Sequence, residues 1–180
     1  MTTQLEVARE ALAQIGTRSK IASLDDGSAE ATYINLLYYP IRDFLLTEGD
    51  YDFSRSEIPL TVKGNPNPPW SYSYEYPTDA LRIRQLIPKD YNPLDPRQME
   101  WTGIFDYYTG DHLIYTRVEA FWIIYTKAVE EEFWDPIYQT AFVRMLASSL
   151  AFALENRIEA SKLKMEEALG FAGIAKVRDM

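Results

Sequence analysis

The chain contains no cysteine, which excludes disulfide cross-links and thiolate metal sites and fits a reducing compartment. Histidine is almost as scarce. The one imidazole, His112, sits beside a turn between two strand candidates and is expected to be an exposed neighbour of that turn. A single imidazole supplies neither the ligand set of a zinc site nor a Ser-His-Asp or Cys-His arrangement. Neither G-x-G-x-x-G nor a P-loop pattern occurs, so no glycine-rich loop is available to cradle a nucleotide phosphate. No uninterrupted apolar run approaches the roughly 18 to 20 residues needed to span a bilayer. The stretch MTTQLEVAREALAQIG carries Glu6, Arg9 and Glu10 within its apolar pattern, in place of a basic region followed by an apolar run. A soluble chain with no secretory signal and no membrane partner is therefore expected. Basic residues are also in deficit, 18 against 27 acidic, for a formal charge of -9. That is the wrong sign for gripping a phosphate backbone, because such grip comes from Lys and Arg displacing condensed counterions.

What is present is apolar material in abundance: 47% of 180 residues are hydrophobic and 14% aromatic, enough for a core and one domain with a small second lobe. Leu5, Ala8, Leu12 and Ile15 recur at helical spacing with Gly16 just beyond, which predicts a helix over residues 3–15. Ser28 or Asp26 can cap a second helix carrying Ile34, Leu37, Ile41, Phe44 and Leu45 on one face, with Pro40 expected to bend or divide it. The two are expected to pair antiparallel.

From Gly49 the period changes to two. DYDFSRSEIPLTV, the comb WSYSYEY that resumes after Pro77 as Leu81, Ile83 and Ile87, WTGIFDYY, HLIYT and AFWIIYTKA read as strands, with a tight turn at Thr109-Gly110-Asp111. Short connections predict an antiparallel meander. After the three glutamates Glu130 to Glu132 the helical period returns. Asp135 is a candidate N-cap with Pro136 in the first turn, and Ile137, Ala141, Met145, Ser148, Ser149 and Phe152 form the predicted stripe. Ile158, Leu163, Met165 and Leu169 continue in helical register until Gly170 and Gly173 loosen it. The predicted fold is α+β, mainly α: a helical body of about four helices from residues 1–48 and 129–180, with residues 49–128 as a small inserted antiparallel β lobe.

Carboxylates are the only plentiful catalytic material. Glu75 and Asp79 suggest a glycosidase pair beside aromatic platforms, yet Glu75 faces away from Tyr74 and Tyr76 in a strand, and Thr78-Asp79 follows a proline turn as a local cap. The comb sends Trp70, Tyr72, Tyr74 and Tyr76 to one face and Ser71, Ser73 and Glu75 to the other. That face suits either a core wall under helices or a platform for a sugar or a partner, and composition leaves both open. The corresponding functional alternative is a small carbohydrate-binding or glycan-degrading module using Trp70, Tyr72, Tyr74, Glu75 and Asp79. No cofactor and no metal is expected.

The order of EVAREALAQIG, IASLDDGSAEATYINLLYYPIRDFLL, EGDYDFSRSEIPLTV, YSYEYPTDALRIRQL and FWDPIYQTAFVRMLASSLAFAL resembles the tail tubular protein A family of short-tailed bacteriophages, over roughly residues 4 to 155. The most specific parts are Ile15-Gly16 followed by Ser23-Leu24-Asp25-Asp26-Gly27, the segment Tyr76 to Arg82, and Phe133 to Pro136 leading into an alanine-rich helix. Tyr51 stands where that family usually has a tryptophan, with Phe53 retained. The resemblance implies a non-enzymatic virion protein made in the host bacterial cytoplasm: a dodecameric adaptor ring between portal protein and tail nozzle protein, with tail fibres as further candidate partners, through which DNA passes without specific binding. On that footing the segment from Asn156, with Leu163, Leu169, Phe171, Ile174, Lys176 and Val177, is the candidate for portal docking, a plain fourth core helix being the other option. Trp70, Tyr72, Tyr74 and Tyr76 are the candidates for a contact with a sister subunit or the nozzle.

Overall fold

The computed structural model describes residues 2–16, 21–66, 68–90, 101–105, 111–155, 162–163 and 165–171. The protein is α+β and mainly α, a helical body with a small antiparallel β lobe inserted into it. The chain divides into two compact units, residues 1–54 with 128–180 and residues 55–127. Residues 49–54, assigned to the lobe on periodicity, thus fall in the body, because Tyr51 and Phe53 lay their rings against Tyr138 with centroids 5.1 Å away in each case.

Helix α1 (Gln4–Gln14) opens on a capping box: the Thr3 hydroxyl accepts from the Glu6 amide, and the Glu6 carboxylate accepts from the Thr3 amide at 2.8 Å. Both amides would otherwise be orphaned in the first turn. Val7, Ala8, Ala11 and Leu12 form the buried stripe. Gly16, at φ 74°, ends it in the left-handed region that costs glycine little.

Helix α2 (Ala29–Glu48) starts at Ser28, whose hydroxyl accepts from the Ala31 amide at 3.1 Å. Pro40 does not divide it; one helix of 20 residues runs through that position. Proline removes the amide that would serve the Leu36 carbonyl, and Leu36 and Pro40 both lie on the exposed side of the helix, where solvent is at hand to replace it. The buried side is Ala31, Ile34, Tyr38, Ile41, Leu45 and Leu46. Phe44, predicted to be inside, lies outside.

Helix α3 (Pro136–Glu155) begins as predicted, the Asp135 carboxylate accepting from the Ile137 amide at 2.8 Å. It packs against both α1 and α2, so the single stripe read from its sequence is too narrow. Tyr138, Phe142, Leu146 and Leu150 are buried, and so are Val143, Ala147 and Ala151, whereas Phe152 is exposed. A helix apolar on almost every side is the central one of its unit. By length and composition alone, residues 136–154, with mean hydropathy 1.3, would also reach across a bilayer; 56% of the stretch is buried within the protein. A further helical run, residues 165–171, is tied to α3 by an ion pair between Glu167 and Arg144, and its Ala168 is buried.

The lobe holds two three-stranded antiparallel sheets. One has the order β1 (Arg55–Pro59), β6 (Ala120–Lys127), β3 (Ala80–Pro88); the other has β2 (Tyr72–Glu75), β5 (His112–Thr116), β4 (Trp101–Phe105). The predicted meander is thereby corrected, since β1 pairs with β6 and β2 with β5. Residues 117–119 carry the chain from one sheet to the other. Extended residues 60–63 cross back, the Leu60 amide donating to Phe121 and the Lys63 amide to Ser73, each at 2.8 Å. The two sheets share a core of Tyr74, Ile83, Leu86, Ile114, Ile123 and Tyr125. A single meander would leave one aromatic face uncovered within the lobe; two sheets closing on each other bury it. The strand predicted from Asp50 begins only at Arg55, after a 3-10 turn over Asp52–Ser54. Most of the predicted turn at 109–111 lies outside the described residues.

Candidate interaction surfaces

Strand β2 decides what the aromatic comb does. Tyr74 is 1% exposed, and its hydroxyl accepts from the Ala120 amide at 2.9 Å, so this residue is core and not a surface platform. Burial raises its phenol above the usual tyrosine value. Tyr72 and Tyr76 are half-buried against the same core. Trp70 is half-buried with the Arg117 guanidinium 5.8 Å from its ring centroid. Ser73, predicted to face outward, is buried as well. The comb is a core wall whose margins, Trp70, Tyr72 and Tyr76, keep some exposure.

The two carboxylates singled out in sequence have partners. Glu75 accepts from the Lys63 ammonium at 3.2 Å, and Asp111 stands 3.9 Å from the same ammonium. The hydrogen bond to Glu75 and the charge of Asp111 hold Lys63 above the usual lysine value. Asp79 accepts from the Tyr125 hydroxyl at 3.0 Å. Glu75 and Asp79 do line one small cavity, about 270 Å³, with Thr61 and Ile123. A larger cleft of about 690 Å³ is lined by Lys63, Glu75, Tyr76, Thr78, Asp111 and His112. His112 is exposed at the start of β5, as predicted, and in addition lies flat on Tyr76, ring centroids 3.9 Å apart and planes 8° from parallel. The Tyr76 amide donates to the His112 carbonyl at 3.1 Å, so strand register alone stacks the two rings. Register is not readable from the sequence, so this contact has no local signal there. Among the described residues no cluster of three or more His, Asp or Glu side chains stands ready to hold a metal ion.

The body carries the other candidates. Leu36, Tyr39 and Phe44 are exposed along one side of α2, and Arg42 on the same helix pairs with Asp43 at 2.8 Å while its guanidinium lies 4.8 Å from the Tyr39 ring. Of the residues proposed for portal docking, Leu163 and Leu169 are exposed, and Phe171 is half-buried under the Arg144 guanidinium, 4.7 Å from its ring. Ile174, Lys176 and Val177 lie outside the described residues. Residues 21–28, ahead of α2, are tied down locally. Arg9 donates to the Ile21 carbonyl at 3.0 Å, Asn35 donates to the Leu24 carbonyl at 2.8 Å, and Asp26 accepts from the Ala22 and Ser28 amides at 3.0 Å each. The Ser28 hydroxyl, then its amide, hold the Asp26 carboxyl below the usual value.

A cluster of rings closes the body. Tyr38 meets Phe142 at 4.8 Å, and Trp134 meets Tyr138 at 5.1 Å. Tyr38 donates to the Glu131 carboxylate at 2.9 Å and Tyr138 to the Arg42 carbonyl at 3.1 Å. Burial raises both phenols well above the usual value, and the nearby Glu131 charge adds to the shift at Tyr38. Neither models of known protein families nor curated proteins give a match to this chain.

Proposed function

We propose that the protein is a structural subunit of a virion tail, a head-to-tail adaptor of a short-tailed bacteriophage that forms a ring between portal and nozzle and gives DNA a conduit at ejection. The observation that carries this reading is the architecture itself. A helical body interrupted by a β lobe is what the sequence resemblance implies, and the chain has it. A ring needs a heterologous contact, hence two unlike faces on each copy, and apolar side chains are exposed on both units. A formal charge of -9 suits a conduit, since like charge sets no counterion-release trap for passing DNA. The expected assembly is a dodecamer, and the exposed Leu163 and Leu169 are the proposed portal-facing residues.

No catalysis is proposed. Glu75 and Asp79 already engage Lys63 and Tyr125, and Tyr74 is withdrawn into the core, which leaves the glycan-module alternative with the half-buried Trp70 and Tyr72 among its named aromatics. The deciding experiment mixes the full chain with the portal ring of its own genome and images the product. Ring density seated on the portal is expected; a chain that binds no portal refutes the proposal. Glycan binding lost in Trp70→Ala with folding retained would support the alternative instead.

A further inference from the structure

Among the described residues, each unit exposes large apolar side chains. Along α2, Leu36 is 65% exposed, Tyr39 49% and Phe44 48%. Helical spacing puts them on one side, opposite the stripe that faces α3. A helix apolar on both sides has more than one face to cover. In the lobe, Trp122 is 45% exposed. Its register partners are Pro59 on β1 and Ile87 on β3, and directly opposed residues share a face. Pro59, Trp122 and Ile87 therefore make an apolar row across the outer side of that sheet.

Charge disfavours one of the pairings and ring closure the others. Residues 55–127 hold eight basic and nine acidic side chains, a formal -1; the remaining ten basic and eighteen acidic ones give the helical unit -8. Body against body would bring two strongly acidic units together, and the repulsion would act within a Debye length of about 8 Å. Body against lobe avoids it. Such a contact is also heterologous, so it propagates around a ring, whereas either patch on its own twin would stop at a dimer.

We infer that Trp122 of one copy seats on the Leu36–Tyr39–Phe44 side of α2 in a second copy. The inference rests on the proposal of a self-assembling ring subunit and supplies its lateral contact. A half-exposed tryptophan in an apolar setting is the kind of anchor that dominates an interface, and its loss weakens binding about thirtyfold.

The test is sedimentation of the full chain over a concentration series, with Leu36→Glu and Trp122→Glu alone and mixed, and with circular dichroism to show that each variant folds. Wild type is expected to self-associate, and each variant to stay monomeric where wild type assembles. The equimolar mixture is expected to stop at a one-to-one dimer, because one variant keeps its tryptophan and the other its α2 face. A wild type monomeric at every concentration, a variant that assembles like wild type, or a mixture that stays monomeric would overturn the inference. Portal-bound rings that form equally well from both variants would overturn it while leaving the adaptor proposal standing. Self-association through these faces with no portal binding would support the contact and sink the adaptor.

Discussion

Above about pH 10 the helical body should lose stability at a rate set by two phenols. Tyr38 and Tyr138 are both fully buried. Burial, joined at Tyr38 by the Glu131 carboxylate that accepts its hydrogen bond, keeps each one protonated well beyond the usual tyrosine value. In the unfolded chain a tyrosine titrates near 10. The folded value is the raised one, so the stabilisation is complete below the unfolded value and is lost as pH rises beyond it, because the unfolded state releases its proton first. Each phenol contributes a slope of up to about 1.4 kcal/mol per pH unit. By about pH 11 the pair removes about 3 kcal/mol, a large part of the 5 to 15 kcal/mol typical of a domain.

The comparator is the double variant Tyr38→Phe with Tyr138→Phe. At neutral pH it should be the less stable protein by about 2 to 4 kcal/mol, from one hydrogen bond to a charged acceptor and one to a carbonyl. Between about pH 10 and about pH 11 its slope should be shallower by up to about 2.7 kcal/mol per unit, so the two curves converge. Urea unfolding followed by helical circular dichroism at successive pH values measures both. Contributions from Lys63 and the lobe tyrosines cancel in the difference. Curves that stay parallel across this range would show that these phenols do not titrate as buried groups, and the packing described around them would be at fault.

Three other substitutions probe separate parts of the body. Gly49→Ala places a methyl group into the buried Tyr51 ring; a loss of about 1 to 3 kcal/mol in chemical unfolding is expected, and a neutral result would mean that Tyr51 is not held where it is described. Arg144→Met removes both the ion pair to Glu167 and the cation over Phe171, so amide exchange over residues 165–171 should speed up about five- to thirtyfold; unchanged exchange would show that Arg144 does not hold this run. Asp26→Asn deletes a carboxylate whose folded value is depressed, and whose contribution is present above the unfolded value near 4 and lost as pH falls through the folded one. The variant's melting temperature should vary less with pH below about 4 than that of wild type, and an identical acid limb would refute the linkage.

Local order was legible in the residues because it is encoded locally. The N-cap at Ser28, the Asp135-Pro136 start of α3 and the strand character of HLIYT all depend on neighbours a few positions apart, and each appears where periodicity and capping chemistry place it. Strand order is another matter. Pairing of Arg55 with Thr126 and of Tyr72 with Thr116 joins segments that share no local signal, and short loops bias a reader toward neighbours. The stack of His112 on Tyr76 inherits that blindness, being a product of register.

Burial of a whole helix side is legible only in part, for a physical reason. Hydrophobic spacing says which side chains prefer to leave water; it does not say whether their own chain covers them. On α2 and α3 the apolar residues exceed a single stripe, and the sequence offers Phe44 and Phe152 as core on equal terms with Leu45 and Ala151. The fold separates them: α3 is enclosed by α1 and α2, while Phe44 and Phe152 are left outside. A chain this acidic gains solubility from self-repulsion, which lets it keep such side chains at its surface without collapsing onto its copies at random. Charge then acts against any contact between two of the acidic helical units, and leaves a contact that involves the near-neutral lobe less opposed.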